Sequence, residues 1–112
     1  MLSISAQSDL VPTVGATTYS FSDTAEGVFV LSVDISLMQA GDTFIMDILR
    51  KVRSTGVGTT EVVVATSTIT GAAASPFIKE LGPLIAPFGA TARLRQSAGT
   101  SRTFPFTFTR SS

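Results

Sequence analysis

From Thr103 to Thr109 the chain reads Thr-Phe-Pro-Phe-Thr-Phe-Thr. Side chains alternate sides along a β-strand, so Phe104, Phe106 and Phe108 share one face and Pro105, Thr107 and Thr109 the other. A helix would scatter the three rings around its circumference. A strand lets them enter one core, each worth roughly 1.5–3 kcal/mol when buried. Pro105 has no N–H to give a ladder, which predicts an edge position for this strand or a bulge facing its N–H side.

The same period recurs upstream. Gly27 opens a strand in which Phe29, Leu31, Val33 and Ile35 alternate with Val30, Ser32 and Asp34. After the Gly41-Asp42 turn, Phe44, Met46, Ile48 and Val52 are predicted on one face, with Asp47, Lys51, Arg53, Ile45 and Leu49 on the other. Glu61 to Ile69 is almost wholly β-branched. Thr18–Phe21 and Ala90–Gln96 read as further strands. Phe77–Leu84 reads as one interrupted at Gly82-Pro83. The expected fold is all-β, an antiparallel two-sheet β-sandwich, jelly-roll-like, with about seven or eight strands. Its 112 residues suit a single core. The domain proper is placed at residues 17–112, and residues 1–16 are either an N-terminal arm or the first strand.

Composition narrows the chemistry. The chain has no His and no Cys, so it can hold neither a Ser-His-Asp nor a Cys-His arrangement, nor a His/Cys zinc site. Asp42 and Asp47 fall on opposite faces of one strand and do not form a converging carboxylate pair. The Asp34 to Asp42 spacing matches no calcium loop. Gly56-Val57-Gly58-Thr59-Thr60 lacks the Gly-Lys-Ser/Thr ending of a phosphate loop and no helix follows it. No enzyme activity and no cofactor are expected. The N-terminus shows no signal-peptide pattern, and no apolar run reaches the roughly 18 residues that span a bilayer. No membrane partner is expected, and the chain is expected to be made in the cytoplasm of some cell.

Charged residues are only 14 % of the chain and sum to zero. So few charges favour association, and a zero net charge argues against nucleic acid as a partner. Before Arg50 every charged side chain is acidic. From Arg50 onward only Glu61 and Glu80 oppose eight basic residues. Two readings stay open: early and late strands neutralise each other within the sandwich, or acidic and basic faces meet between subunits.

Three segments carry a resemblance. They are Leu31–Asp34 running on to Ala40-Gly41-Asp42; Asp47-Ile48-Leu49-Arg50-Lys51-Val52; and Leu94-Arg95-Gln96-Ser97-Ala98-Gly99-Thr100-Ser101-Arg102-Thr103-Phe104-Pro105. In this order they resemble a family of small structural proteins of tailed bacteriophages, over roughly residues 28–108. The resemblance implies a virion protein, in the manner of a capsid decoration (cement) protein on the capsid surface. Its partners would be the major capsid protein and further copies of itself, as a dimer or trimer. A tail, neck or fibre module that binds a ligand or another virion protein is the alternative. The residues assigned to partner binding are Leu2, Ile4, Leu10 and Val11 in the N-terminal stretch, and Arg93, Arg95 and Arg102 among the late basic residues.

Overall fold

A computed structural model describes residues 1–112. Its regular elements are eight strands: β1 (Leu2–Leu10), β2 (Tyr19–Asp23), β3 (Gly27–Asp34), β4 (Thr43–Arg50), β5 (Val62–Thr70), β6 (Ile78–Ala86), β7 (Ala90–Ala98) and β8 (Phe104–Ser111). They form two four-stranded sheets, ordered β1-β8-β3-β6 and β2-β7-β4-β5, with every ladder antiparallel. The pairs nest as β1 with β8, β2 with β7, β3 with β6 and β4 with β5. That nesting is the strand order of an eight-stranded jelly roll.

The alternating positions fill the space between the sheets. Phe29, Leu31 and Val33 of β3, Phe44, Met46 and Ile48 of β4, and Phe104, Phe106 and Phe108 of β8 are all buried. Two ring pairs bridge the sheets. Phe44 stacks on Phe104 with centroids 4.1 Å apart, and Phe21 meets Phe106 at 4.7 Å. Phe29 and Phe108 stack at 5.2 Å between neighbouring strands of one sheet. Such pairs add about 0.5–1.5 kcal/mol beyond burial.

Two expectations need correction, and a third takes a specific form. The Phe104–Phe108 strand is not at an edge: β8 lies between β1 and β3. The two ladders are staggered, so pairing with β3 begins at Val33 with Phe106, while Pro105 faces only Asp9 of β1. The proline therefore sits where β8 has a single neighbour. The interruption expected at Gly82-Pro83 is a bulge that β6 runs through, with Leu31 opposite Leu81 and Phe29 opposite Leu84. Gly82 has φ +110°, and a Cβ there would stand 2.6 Å from the Phe29 carbonyl oxygen. Val52 lies beyond the end of β4 and is exposed instead of joining the core face.

The N-terminal stretch pairs with β8 from Leu2 opposite Ser111 to Leu10 opposite Phe104. Its register shifts between Ile4 and Ala6. This bulge at Ser5 reverses the parity of the strand. Leu2 and Ile4 share the outer face with Thr109 and Ser111, whereas Ala6, Ser8 and Leu10 share the inner face with the phenylalanines of β8.

Candidate partner-docking face

The charged side chains that the sequence singles out are largely engaged with one another. Asp42 is buried at the β3–β4 connection, and Arg102 lies on the β7–β8 connection. Arg102 Nε donates to Asp42 Oδ2 at 2.8 Å. The same carboxylate accepts the Gln39 N–H at 2.9 Å and the Thr100 N–H at 3.1 Å. These donors, Arg102 foremost, hold the Asp42 carboxyl below its ordinary pKa despite burial. Gln96, fully buried, completes the network. Its amide donates to the carbonyls of Ala98 and Thr100, and its Oε1 accepts the Arg102 N–H. The Gly-Asp turn and the Gln96–Arg102 segment are thus two halves of one clasp that fixes two loops at the same end of the sandwich.

Two more pairs join acidic early strands to basic late ones. Arg93 and Asp47 are direct cross-strand partners, with Nε and Nη2 at 3.2 and 3.1 Å from Oδ2. Asp47 also accepts the Thr66 hydroxyl from the other side. Arg110 stands 3.3 Å from Asp23. Asp23 accepts the Ser5 hydroxyl at 2.6 Å and the Ala25 N–H at 2.9 Å. These bonds, Ser5 first and the arginine after them, hold its carboxyl below the ordinary range. For these three pairs the charge split is resolved by neutralisation inside the chain.

This sorts the residues assigned to partner binding. Arg102 serves the clasp and Arg93 the ladder to Asp47, while Arg95 forms no ion pair. Leu10 is withdrawn into the core, 8 % exposed, because the bulge at Ser5 turns it inward. Leu2, Ile4 and Val11 are 69, 57 and 63 % exposed.

Leu2 and Ile4 belong to a larger surface. Register alone assembles it on the outer face of the β1-β8-β3-β6 sheet. One row runs Leu2, Ser111, Val28, Ile85 across all four strands. The next runs Ile4, Thr109, Val30 and ends at the bulge of β6. Ile85 is 72 % exposed. Exposed apolar groups in adjacent rows of one sheet make this face the candidate interaction surface.

The other half of this face is polar and acidic. Gln7, Thr107, Ser32 and Glu80 form one row, and Asp9, Pro105, Asp34 and Ile78 lie beyond it. All of these but Glu80 line an open concavity of about 470 Å³. Asp34 accepts the Ser36 N–H, and Glu80 accepts the Ser32 hydroxyl. No Lys or Arg occupies an outward position on these strands; Arg110 turns inward beside Ser3, and Lys79 turns inward beside Val33. No group of three or more Asp and Glu side chains is arranged to hold a metal ion. The face therefore offers apolar burial beside uncompensated negative charge, which suits docking on a firm partner surface.

The residues that sequence reasoning missed here are Val28, Val30 and Ile85. Ile85 has the sequence parity of the inward Lys79 and Leu81 and faces outward only because the bulge at Gly82-Pro83 reverses the strand. Its place in one row with Leu2 depends on which strands become neighbours. Comparison with protein-family models, with curated proteins and with solved structures gave no match to this chain.

Proposed function

We propose that this chain is a capsid decoration protein of a tailed bacteriophage. It docks on the outer surface of the major capsid shell through the outer face of the β1-β8-β3-β6 sheet, and braces the head by many weak contacts acting together. The observation that carries this reading is the pair of apolar rows containing Leu2, Ile4 and Ile85, held in water by a rigid sheet with no cationic side chain on the same face. The coat surface it fits is apolar and flanked by Lys or Arg, which would meet Asp9, Asp34 and Glu80.

The sequence resemblance supports the same reading in a specific way. Its most distinctive residues, Asp42, Gln96, Gly99 and Arg102, build the clasp between two loops. They favour a shared fold, and the docking role falls to the exposed face.

The test uses heads assembled without the protein and then supplied with it. Added protein is expected to bind in numbers comparable to the coat subunits and to raise resistance to heat and osmotic shock. Heads equally robust with and without it would remove the proposal. A handful of copies per particle, confined to the tail or neck, would favour the ligand-binding tail module instead.

A further inference from the structure

A jelly roll has four sheet edges, here β1, β6, β2 and β5. Unpaired edges are aggregation-prone, and proteins blunt them with charge, proline, bulges or shortness. On β6, Lys79 points inward, Pro83 removes a donor, and the chain bulges at Gly82. On β1 there is the bulge at Ser5 and the charge of Asp9. Only 5 residues make up β2. By contrast β5, Val-Val-Val-Ala-Thr-Ser-Thr-Ile-Thr, is 9 residues long with no charge and no proline. Its one irregularity is at Val64, and Ala65–Thr70 runs in unbroken register with β4.

We propose that β5 is a self-association edge. It pairs antiparallel with β5 of a second copy about a twofold axis at Ser67, extending the β2-β7-β4-β5 sheet across two chains. Two observations favour a second copy as the occupant. First, the register works with small, uncharged side chains. On the inner face Ala65 lies opposite Ile69 of the second copy, and both already pack against the core margin. On the outer face Thr66 lies opposite Thr68, a favourable cross-strand pair. Second, no charge on β5 opposes its own image.

This inference does not depend on capsid binding, and its test needs no phage head. Sedimentation of the full chain over a dilution series is expected to show mass falling from twice the chain mass to the chain mass. Ser67→Lys and Ser67→Glu each place like charges face to face at the axis, and each alone is expected to be monomeric. Mixing the two variants is expected to restore the dimer, which also shows that both are folded. As a measurement on the unaltered protein, alternate amides of Ala65–Ile69 should gain protection from hydrogen exchange as concentration rises. A chain that stays monomeric overturns the proposal. So does a dimer that either variant leaves intact, or a mixture that fails to re-form the dimer while the β5 amides stay unprotected at every concentration.

Discussion

Arg102 Nε lies 2.8 Å from Asp42 Oδ2, although 60 positions separate the two residues in the chain. The carboxylate is fully buried while the guanidinium keeps 27 % of its side-chain surface in water. The arginine therefore loses little hydration, and the aspartate gains its only cationic partner. Removing the arginine strands a buried negative charge, which is costlier than the pair is worth. Arg102→Ala is expected to destabilise the fold by roughly 2–4 kcal/mol. Denaturant titration checks this, and a loss below half of the lower figure would mean that the loops are held by something else.

The Arg93–Asp47 pair should behave differently. Its guanidinium is 37 % exposed and its carboxylate only 10 %, and Asp47 keeps the Thr66 hydroxyl when the arginine is removed. Such a half-wet pair lies between an exposed one, about 0.2–1 kcal/mol, and a fully buried one. Arg93→Ala is thus expected to cost about 1–2 kcal/mol, under the Arg102 variant in the same titration.

Acid should unfold the protein partly through two carboxylates. Asp42 and Asp23 are both held below the ordinary value of 3.8 in the folded chain. A depressed carboxyl binds its proton more readily in the unfolded chain. Its contribution is complete above the ordinary value and is lost as pH falls through the depressed one. Tm is expected to drop as pH is lowered below about 4. In Asp42→Asn, less stable at neutral pH, that acid limb should be shallower. An unchanged limb in the variant would show that Asp42 does not govern it.

Gly99 serves the same clasp. Its φ is +95°, and a Cβ there would stand 2.7 Å from Asp42 Cα, with the carboxylate closer still. Gly41 also has a positive φ, +90°, but open space where a Cβ would go. Gly41→Ala is expected to pay only the backbone cost, about 1–2 kcal/mol. Gly99→Ala should cost more, because it also displaces the Asp42 carboxylate from its donors. Equal losses in thermal melts would contradict the close approach.

Much of this fold was legible in the sequence, because period-2 burial depends only on local spacing. Phe29, Leu31 and Val33, and likewise Phe104, Phe106 and Phe108, enter the core where alternation puts them. What spacing does not encode is which strand lies beside which. Pro105 signals an edge only on the premise that both neighbours flank a strand along its whole length. The stagger of β3 against β8 removes that premise. Leu2, Ile4 and Leu10 share one parity in the sequence, yet one extra residue at Ser5 sends Leu10 inward and leaves the others outside. The clasp escaped for a related reason: Asp42 and Arg102 were visible only as one acid and one base in a lopsided distribution.

The docking face makes a prediction that separates binding from folding. Leu2, Ile4 and Ile85 are each more than half exposed, so replacing them removes little buried apolar surface. Leu2→Lys with Ile85→Lys changes the outermost row at both edges of the sheet. The double variant is expected to melt within a few degrees of the parent, since surface changes away from special features stay within about 0.5 kcal/mol. It should nonetheless lose capture by heads lacking the protein, because the apolar row is interrupted and positive charge now faces the basic coat surface inferred above. Arg95→Glu, on the opposite sheet, supplies the contrast: it alters a half-buried charge off the proposed face and should leave capture unchanged. Cosedimentation with heads reads both. Full binding by the double lysine variant, or loss of binding by the Arg95 variant alone, would move the docking surface to the other sheet.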